Sequence, residues 1–247
     1  MSPQRNAGNH FLASLSSQDN ELLQAHLHHP QQLSTGTVIY DLDDTIPRVI
    51  FPYNGIISIV VALSGGQYVE AGMLGRNSLV GVGAALDGPT ALNRAIVQGD
   101  GTATAIDAAV LKRLADQSKT LRHSLVQHDH AAHAQTQQVA ACNALHGLDE
   151  RLCRWLLQSR DLLRSDILPL TQEFLSQMLG VQRSSVTMVA RRLQEAGLIS
   201  YRRGRIHVLD VEALQDACCE CYQAINAHYS RLLDWSPDFD QRDPSSH

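Results

Sequence analysis

No cysteine precedes Cys142 in this 247-residue chain, and the five present (Cys142, Cys153, Cys218, Cys219 and Cys221) are an odd number crowded into its second half. That is not the framework of a disulfide-stapled domain, so reduced thiols are expected. Long apolar runs are also missing. The longest, around residues 59–63, falls far short of the ~20 residues a membrane span needs. Residues 1–10 are polar and lack a charged-then-apolar leader pattern, so the expected location is the cytoplasm, with no membrane partner. The P-loop, HExxH, nucleophile-elbow and dinucleotide-fingerprint patterns do not occur, which leaves no sequence support for an enzyme. Cys142 with His146 is a conceivable nucleophile pair, but a helical Cys and His four apart more often simply pack together.

Hydrophobic residues make up 44% of the chain, enough for a packed core, and the net charge is −5. The whole molecule is therefore not a basic nucleic-acid binder. The balance reverses locally: residues 171–209 hold six arginines (183, 191, 192, 202, 203 and 205) against two acids, Glu173 and Glu195. Such a stripe suits a phosphate-contacting face. By charge alone an ordinary solvated surface is the better reading.

The texture of the chain divides it. Residues 1–10 and 234–247 read as loose tails, and 16–25 as a short helix capped by Ser16 or Ser17. Short β-branched runs at 37–40, 49–51, 56–63, 68–73, 95–98 and 102–106 are separated by turn signals such as Asn54-Gly55 and Gly65-Gly66. They predict a compact all-β sandwich or barrel. A helix follows at 107–116, with Asp107 placed to cap it. Residues 118–146 then run without Gly or Pro, and Leu121, Leu125, His128, Ala132, Gln135, Val139 and Cys142 recur in steps of four and three. That heptad seam predicts a dimerisation helix whose polar positions set register; the plainer alternative is a helix packed along its own chain. Gly147 breaks it, Asp149 caps the next helix, 166–169 is a loop, and 211–232 is read as one helix.

The most informative stretch is 170–209. Thr171 is an N-cap, and Phe174, Leu175, Met178 and Leu179 give a short helix its apolar face. Gly180 permits a sharp turn, and a second helix runs from about Gln182 to Ala196 with Gly197 as its stop. Its exposed positions include Gln182, Arg183, Ser184, Ser185, Thr187, Met188 and Arg191, side chains that include donors to phosphates and base edges. Two strands joined by Arg202-Arg203-Gly204-Arg205 make a wing. A helix pair with an arginine-rich wing predicts binding to double-stranded DNA; a protein-interaction winged helix is the bland alternative.

The segment TQEFLSQMLGVQRSSVTMVARRLQEAGLISYRRGRIHVLD resembles the DNA-binding module of the Crp/Fnr superfamily of bacterial transcription regulators. IFPYNGIISIVVAL and VEAGMLGRNSLVGV resemble its sensor, and AACNALHGLDERLCRWLL its hinge. The resemblance spans about residues 11–230. It implies an α+β chain: an N-terminal β-roll (a cyclic-nucleotide-binding-like jelly roll) at 11–117, a long dimerisation helix at 118–146, and a C-terminal winged helix-turn-helix at 147–233. It also implies a homodimer on a pseudo-palindromic site, contact with RNA polymerase, and base reading by Arg183, Ser184 and Met188. Cyclic-AMP-responsive members carry Glu where Ser184 stands and Arg where Met188 stands, so a different DNA site is expected.

Cyclic-nucleotide pockets of that superfamily use a Gly-Glu pair and an Arg-Ser or Arg-Thr pair. The matching residues here are Gly81, Val82, Gly83, Arg94 and Ala95, with Val82 replacing the Glu and Arg94 shifted by one position. Cyclic AMP is therefore not expected, and any small-molecule effector is unidentified. No cysteine lies near the N-terminus to hold an iron–sulfur cluster. His123, His128, His130 and His133 lack a completing Cys or acid, so no cofactor or metal ligand is assigned. Cys218-x-x-Cys221, in a predicted helix, leaves a redox- or metal-responsive regulator as the alternative.

Overall fold

The computed structural model describes residues 8–237. Helices α1 (His10–Ser14) and α2 (Ser17–Gln24) lead into strands β1 (Gln31–Leu33), β2 (Val38–Tyr40), β3 (Arg48–Pro52), β4 (Ile56–Ala62) and β5 (Tyr68–Leu74). A 3₁₀ turn at Val82–Ala85 precedes β6 (Arg94–Gly99) and β7 (Gly101–Asp107). Then come α3 (Ala108–Gln117), α4 (Lys119–Leu145), α5 (Leu148–Leu163), β8 (Ile167–Leu168), α6 (Gln172–Leu179) and α7 (Arg183–Glu195). The chain continues through β9 (Ile199–Arg202), β10 (Arg205–Val208), α8 (Val211–Asp216) and α9 (Cys221–Leu233).

The fold is α+β as expected. Two antiparallel sheets, β2-β6-β4-β5 and β1-β7-β3, face each other around Val49, Phe51, Ile57, Val97 and Ile106. The first sheet is covered on its other side too. Ile56, Val60 and Met73 join a second core with Leu152, Trp155 and Leu156 of α5 and the apolar faces of α6 and α7. This double coverage explains the nearly unbroken apolar run of β4, since a strand buried on both faces has no need to alternate.

Several sequence expectations need correction. The tails are shorter than 1–10 and 234–247 where the structure describes them. Asn9 is buried, caps α1 and donates to Pro52 O and Ser78 O, and Trp235 is buried against Tyr229. Residues 1–7 and 238–247 lie outside the described residues. Asp107 makes no side-chain cap, because its carboxylate faces His28 and Arg48. Asp149 does not cap α5 either. Gly147 is the cap residue, Glu150 accepts from its N–H at 2.9 Å, and Asp149 binds Arg192. The expected loop at 166–169 contains β8, which pairs with β10. The expected helix at 211–232 is two helices, with a break between Asp216 and Cys221.

The largest correction concerns α4. Leu121, Leu125, His128, Gln135, Val139 and Cys142 are buried inside their own chain, with Ala131 rather than Ala132 filling the position between. Leu121 and Leu125 join the β-roll core, and Phe11 meets the His128 ring edge-on at 5.0 Å. Gln135 donates to Met73 O and accepts from Tyr229 of α9; Ala131 and Val139 pack against Ile225, Tyr229 and Leu233. The pattern reported a buried stripe correctly, but α9 and the β-roll bury it. The seam therefore does not supply a free dimer surface. His128, buried in apolar surroundings, has its pKa pushed down to about 3 and stays neutral at physiological pH.

Candidate nucleic-acid interface

Helix α6 begins where Thr171 Oγ1 accepts from Phe174 N–H at 3.1 Å, and it ends at Gly180 in the left-handed region. Leu175, Met178, Val186, Val189 and Leu193 bury the facing sides of α6 and α7 with α5. The outer edge of α7 is left to solvent. Arg183, Ser184, Thr187, Met188 and Arg191 are all exposed. Thr187 donates to Gln172 Oε1 at 2.7 Å, which ties the second turn of α7 to the start of α6. Arg183 has only a loose approach to Glu173, at 4.0 Å, and Arg191 pairs along the helix with Glu195. Arg192, counted in the basic stripe, is spent differently: its guanidinium grips both oxygens of Asp149 at 2.6 Å and ties α7 to α5.

The wing is tighter than expected. Its turn is two residues, Arg203 and Gly204, both with positive φ (50° and 74°), which is the geometry two-residue hairpins prefer. Arg202 and Arg205 are directly opposed across the hairpin. Opposed like charges destabilise a strand pair, and none of the three wing arginines forms an ion pair among the described residues. A Cβ on Gly204 would sit 3.5 Å from Thr171 Cγ2, so the wing tip lies beside the start of α6.

Of the expected contact residues of the second helix only Ser185 is half-buried. With exposed Gln182 it lines a cleft of about 910 Å³ between this unit and the β4–β5 hairpin. Tyr68, Gln177, Asn143 and Arg151 also line it. Tyr68 donates to Gln177 at 3.0 Å, and a Cβ on Gly180 would lie 3.2 Å from Val69. The helix-turn-helix thus rests on β5.

The same junction buries a carboxylate. Glu70 accepts from Ser58 at 2.5 Å and from Trp155 Nε1 at 3.0 Å, joining β4 and β5 to α5. Burial pushes its pKa up to about 7; the Ser58 bond, the Arg154 charge and the Trp155 bond oppose that rise. Such an acid holds its proton more tightly folded than unfolded. The stability it gives is complete below about pH 4.5 and is lost as pH rises to about 7. Glu70→Gln is therefore expected to remove a loss of order 3 kcal/mol across that window. Urea midpoints at pH 4.5 and 7.5 check this. An equal pH dependence in both proteins would refute it. Asp161, with Tyr222 donating at 2.8 Å, is pushed by burial in the same direction and remains in both proteins.

The residues matched to the nucleotide pocket are engaged within the protein. Gly81 has φ +82°, and a Cβ there would meet Ile46 at 2.9 Å. Val82 and Ala95 are buried in the β-roll, and Gly83 accepts backbone bonds from Leu86 and Gly88. Arg94 holds Asp41 through Nε at 3.0 Å and Nη2 at 2.5 Å.

One cluster was missed. Cys142 of α4 and His146 just after it meet Cys219 and Cys221, all four donor atoms lying within 4.8 Å of one another. The sequence shows each pair, C-x3-H and C-x-C, but nothing local says that they meet. His123, His130 and His133 are exposed instead.

Residues 150–217 match the model of the Crp-like helix-turn-helix domain. No curated protein matches the chain. Among solved structures, FixK2 from Bradyrhizobium japonicum superposes with a TM-score of 0.67 at 15% identity, over 77% of this chain and 96% of that one. The c-di-GMP responsive global regulator CLP of Xanthomonas campestris gives 0.64 at 17%, over 79% and 100%. A CRP-family transcriptional regulator from Thermus thermophilus gives 0.63 at 18%, over 85% and 100%. No helix among the described residues is long and apolar enough to cross a membrane.

Proposed function

We infer that this chain, which has the Crp/Fnr fold and a Crp-like helix-turn-helix, is a sequence-specific DNA-binding transcription regulator. The observation that carries the reading is the exposed edge of α7 beside a wing whose three arginines have no acidic partner among the described residues. Arg183, at the start of α7, reaches O6 and N7 of a guanine with its fork. Ser184, Thr187 and Met188 face neighbouring base edges, Arg191 and the wing arginines hold phosphates, and Thr171 serves as a cap. Exposed Gln182 and half-buried Ser185 adjoin this edge at the start of α7. The protein acts as a homodimer, with recognition helices about one DNA turn, roughly 34 Å, apart on an inverted repeat. Contact with RNA polymerase and a response to an unidentified small molecule follow from the same family reading. Cyclic AMP is not that molecule, because Arg94 is committed to Asp41 and Val82 offers no acceptor for ribose hydroxyls.

The test is selection of bound duplexes from a random pool by the full chain, followed by titration of wild type and Arg183→Ala on matched and mismatched sites. The variant is expected to lose about 1–3 kcal/mol on the selected site and to relax preference at one base pair per half-site. Sedimentation should find two chains per duplex. An equal loss on every sequence would move Arg183 to the phosphate class, and no selected site at all would leave a protein-binding winged helix.

A further inference from the structure

We propose that Cys142, His146, Cys219 and Cys221 bind a single thiophilic divalent cation, of the class of zinc. The four donors come from two places: the last turns of α4, and the corner between α8 and α9. Cys142 Sγ lies 3.6 Å from Cys219 Sγ, and Cys221 Sγ lies 3.5 Å from His146 Nδ1. A tetrahedral ion with ~2.3 Å bonds to sulfur and ~2.05 Å to nitrogen sets S···S edges of about 3.8 Å and S···N edges of about 3.6 Å. Two of the six edges thus already match one ion's coordination shell, and the others, all within 4.8 Å, need about 1 Å of side-chain closure at most. A multi-iron cluster places several metal atoms between its thiolates and needs them farther apart.

The surroundings fit a closed site. The three cysteines are buried and the histidine is half-buried. His146 Nε2 lies 3.3 Å from Glu220 Oε2, which selects the tautomer with Nδ1 free to ligate, the carboxylate–histidine–metal arrangement. Gln138 Nε2 lies 3.1 Å from Cys221 Sγ and donates to it. Three thiolates and one divalent cation carry a net charge of −1. The buried guanidinium of Arg154, which acts electrostatically on Cys142 and whose Nε has no hydrogen-bond partner among the described residues, supplies a compensating charge. Binding releases three thiol protons to solvent and changes no oxidation state. Cys218 is outside the set, directed at Glu150 O at 3.9 Å. The ion pins the beginning of α9 to the end of α4 and so holds α9 on the seam; this proposal does not depend on DNA binding.

The experiment titrates the reduced full chain with cobalt(II), then zinc. One cobalt per chain is expected, with the absorption of a tetrahedral thiolate site, displaced by an equivalent of zinc. Cys142→Ser and Cys219→Ser should each weaken binding more than about a hundredfold, and Glu220→Gln about tenfold. Cys218→Ser should bind as wild type does. His146→Cys, which keeps four donors should the serine variants misfold, should retain one cobalt with a four-thiolate spectrum. The proposal fails if the folded, reduced chain takes up no cobalt. It also fails if uptake is unchanged in Cys142→Ser and Cys219→Ser, or if the protein carries a multi-iron chromophore.

Discussion

Replacing Trp155 with alanine is expected to lower the unfolding free energy by about 4 kcal/mol. The indole is fully buried where α5 crosses the outer face of the β4–β5 pair, edge-on to Phe174 of α6 at 5.6 Å. Truncation leaves a cavity shared by the β-roll and the helix-turn-helix, and it also removes the Nε1 donor from Glu70. Trp155→Phe, which keeps most of the apolar volume but loses that donor, should cost less than half as much. Urea denaturation followed by far-UV circular dichroism measures both. A loss below about 1 kcal/mol for the alanine variant would mean that α5 does not pack on the β-roll in solution.

Removing Arg202, Arg203 and Arg205 together is expected to leave the fold intact and to weaken DNA binding on every sequence alike. Each phosphate contact contributes about 0.9 to the slope of log affinity against log salt, so three per protomer lower a dimer's slope by about 5. Stability should hold or rise slightly, because the opposed pair Arg202 and Arg205 repel in the free protein. Titrations at several salt concentrations, on the selected site and on unrelated duplex, give the slopes. An unchanged slope, or an altered base preference, would show that the wing does not sit on the phosphates.

What the amino-acid order disclosed follows the range of the interaction. The cap at Thr171, the turn at Gly180 and the Arg203-Gly204 hairpin depend on residues a few positions apart, and each is where local chemistry predicts it. Six of the seven β-roll strands were legible for the same reason; β1, three residues paired to β7, was not. The seam of α4 shows the limit. A stripe recurring every three or four residues says that one side is buried, and is silent on whether a partner, α9 or the β-roll buries it. The break before Cys221 contains neither Gly nor Pro, so no local signal interrupts the expected helix. β8 is two residues long and exists because β10 pairs with it. The Cys142, His146, Cys219 and Cys221 cluster depends on that unpredicted break, because a continuous helix would not put Cys219 and Cys221 in these places.

Were two chains to pair along α4, its covering by α9 would turn that pairing into a competition. A helix tethered beside the surface it covers presents itself at an effective concentration on the order of millimolar, whereas a second copy of the chain at about micromolar is roughly a thousandfold more dilute. Association through Ala131, Gln135 and Val139 would therefore be conditional on α9 having left first. Whatever loosens α9 would raise the apparent subunit affinity without adding a contact between subunits, so the assembly state would report an equilibrium internal to each chain more directly than it reports protein abundance.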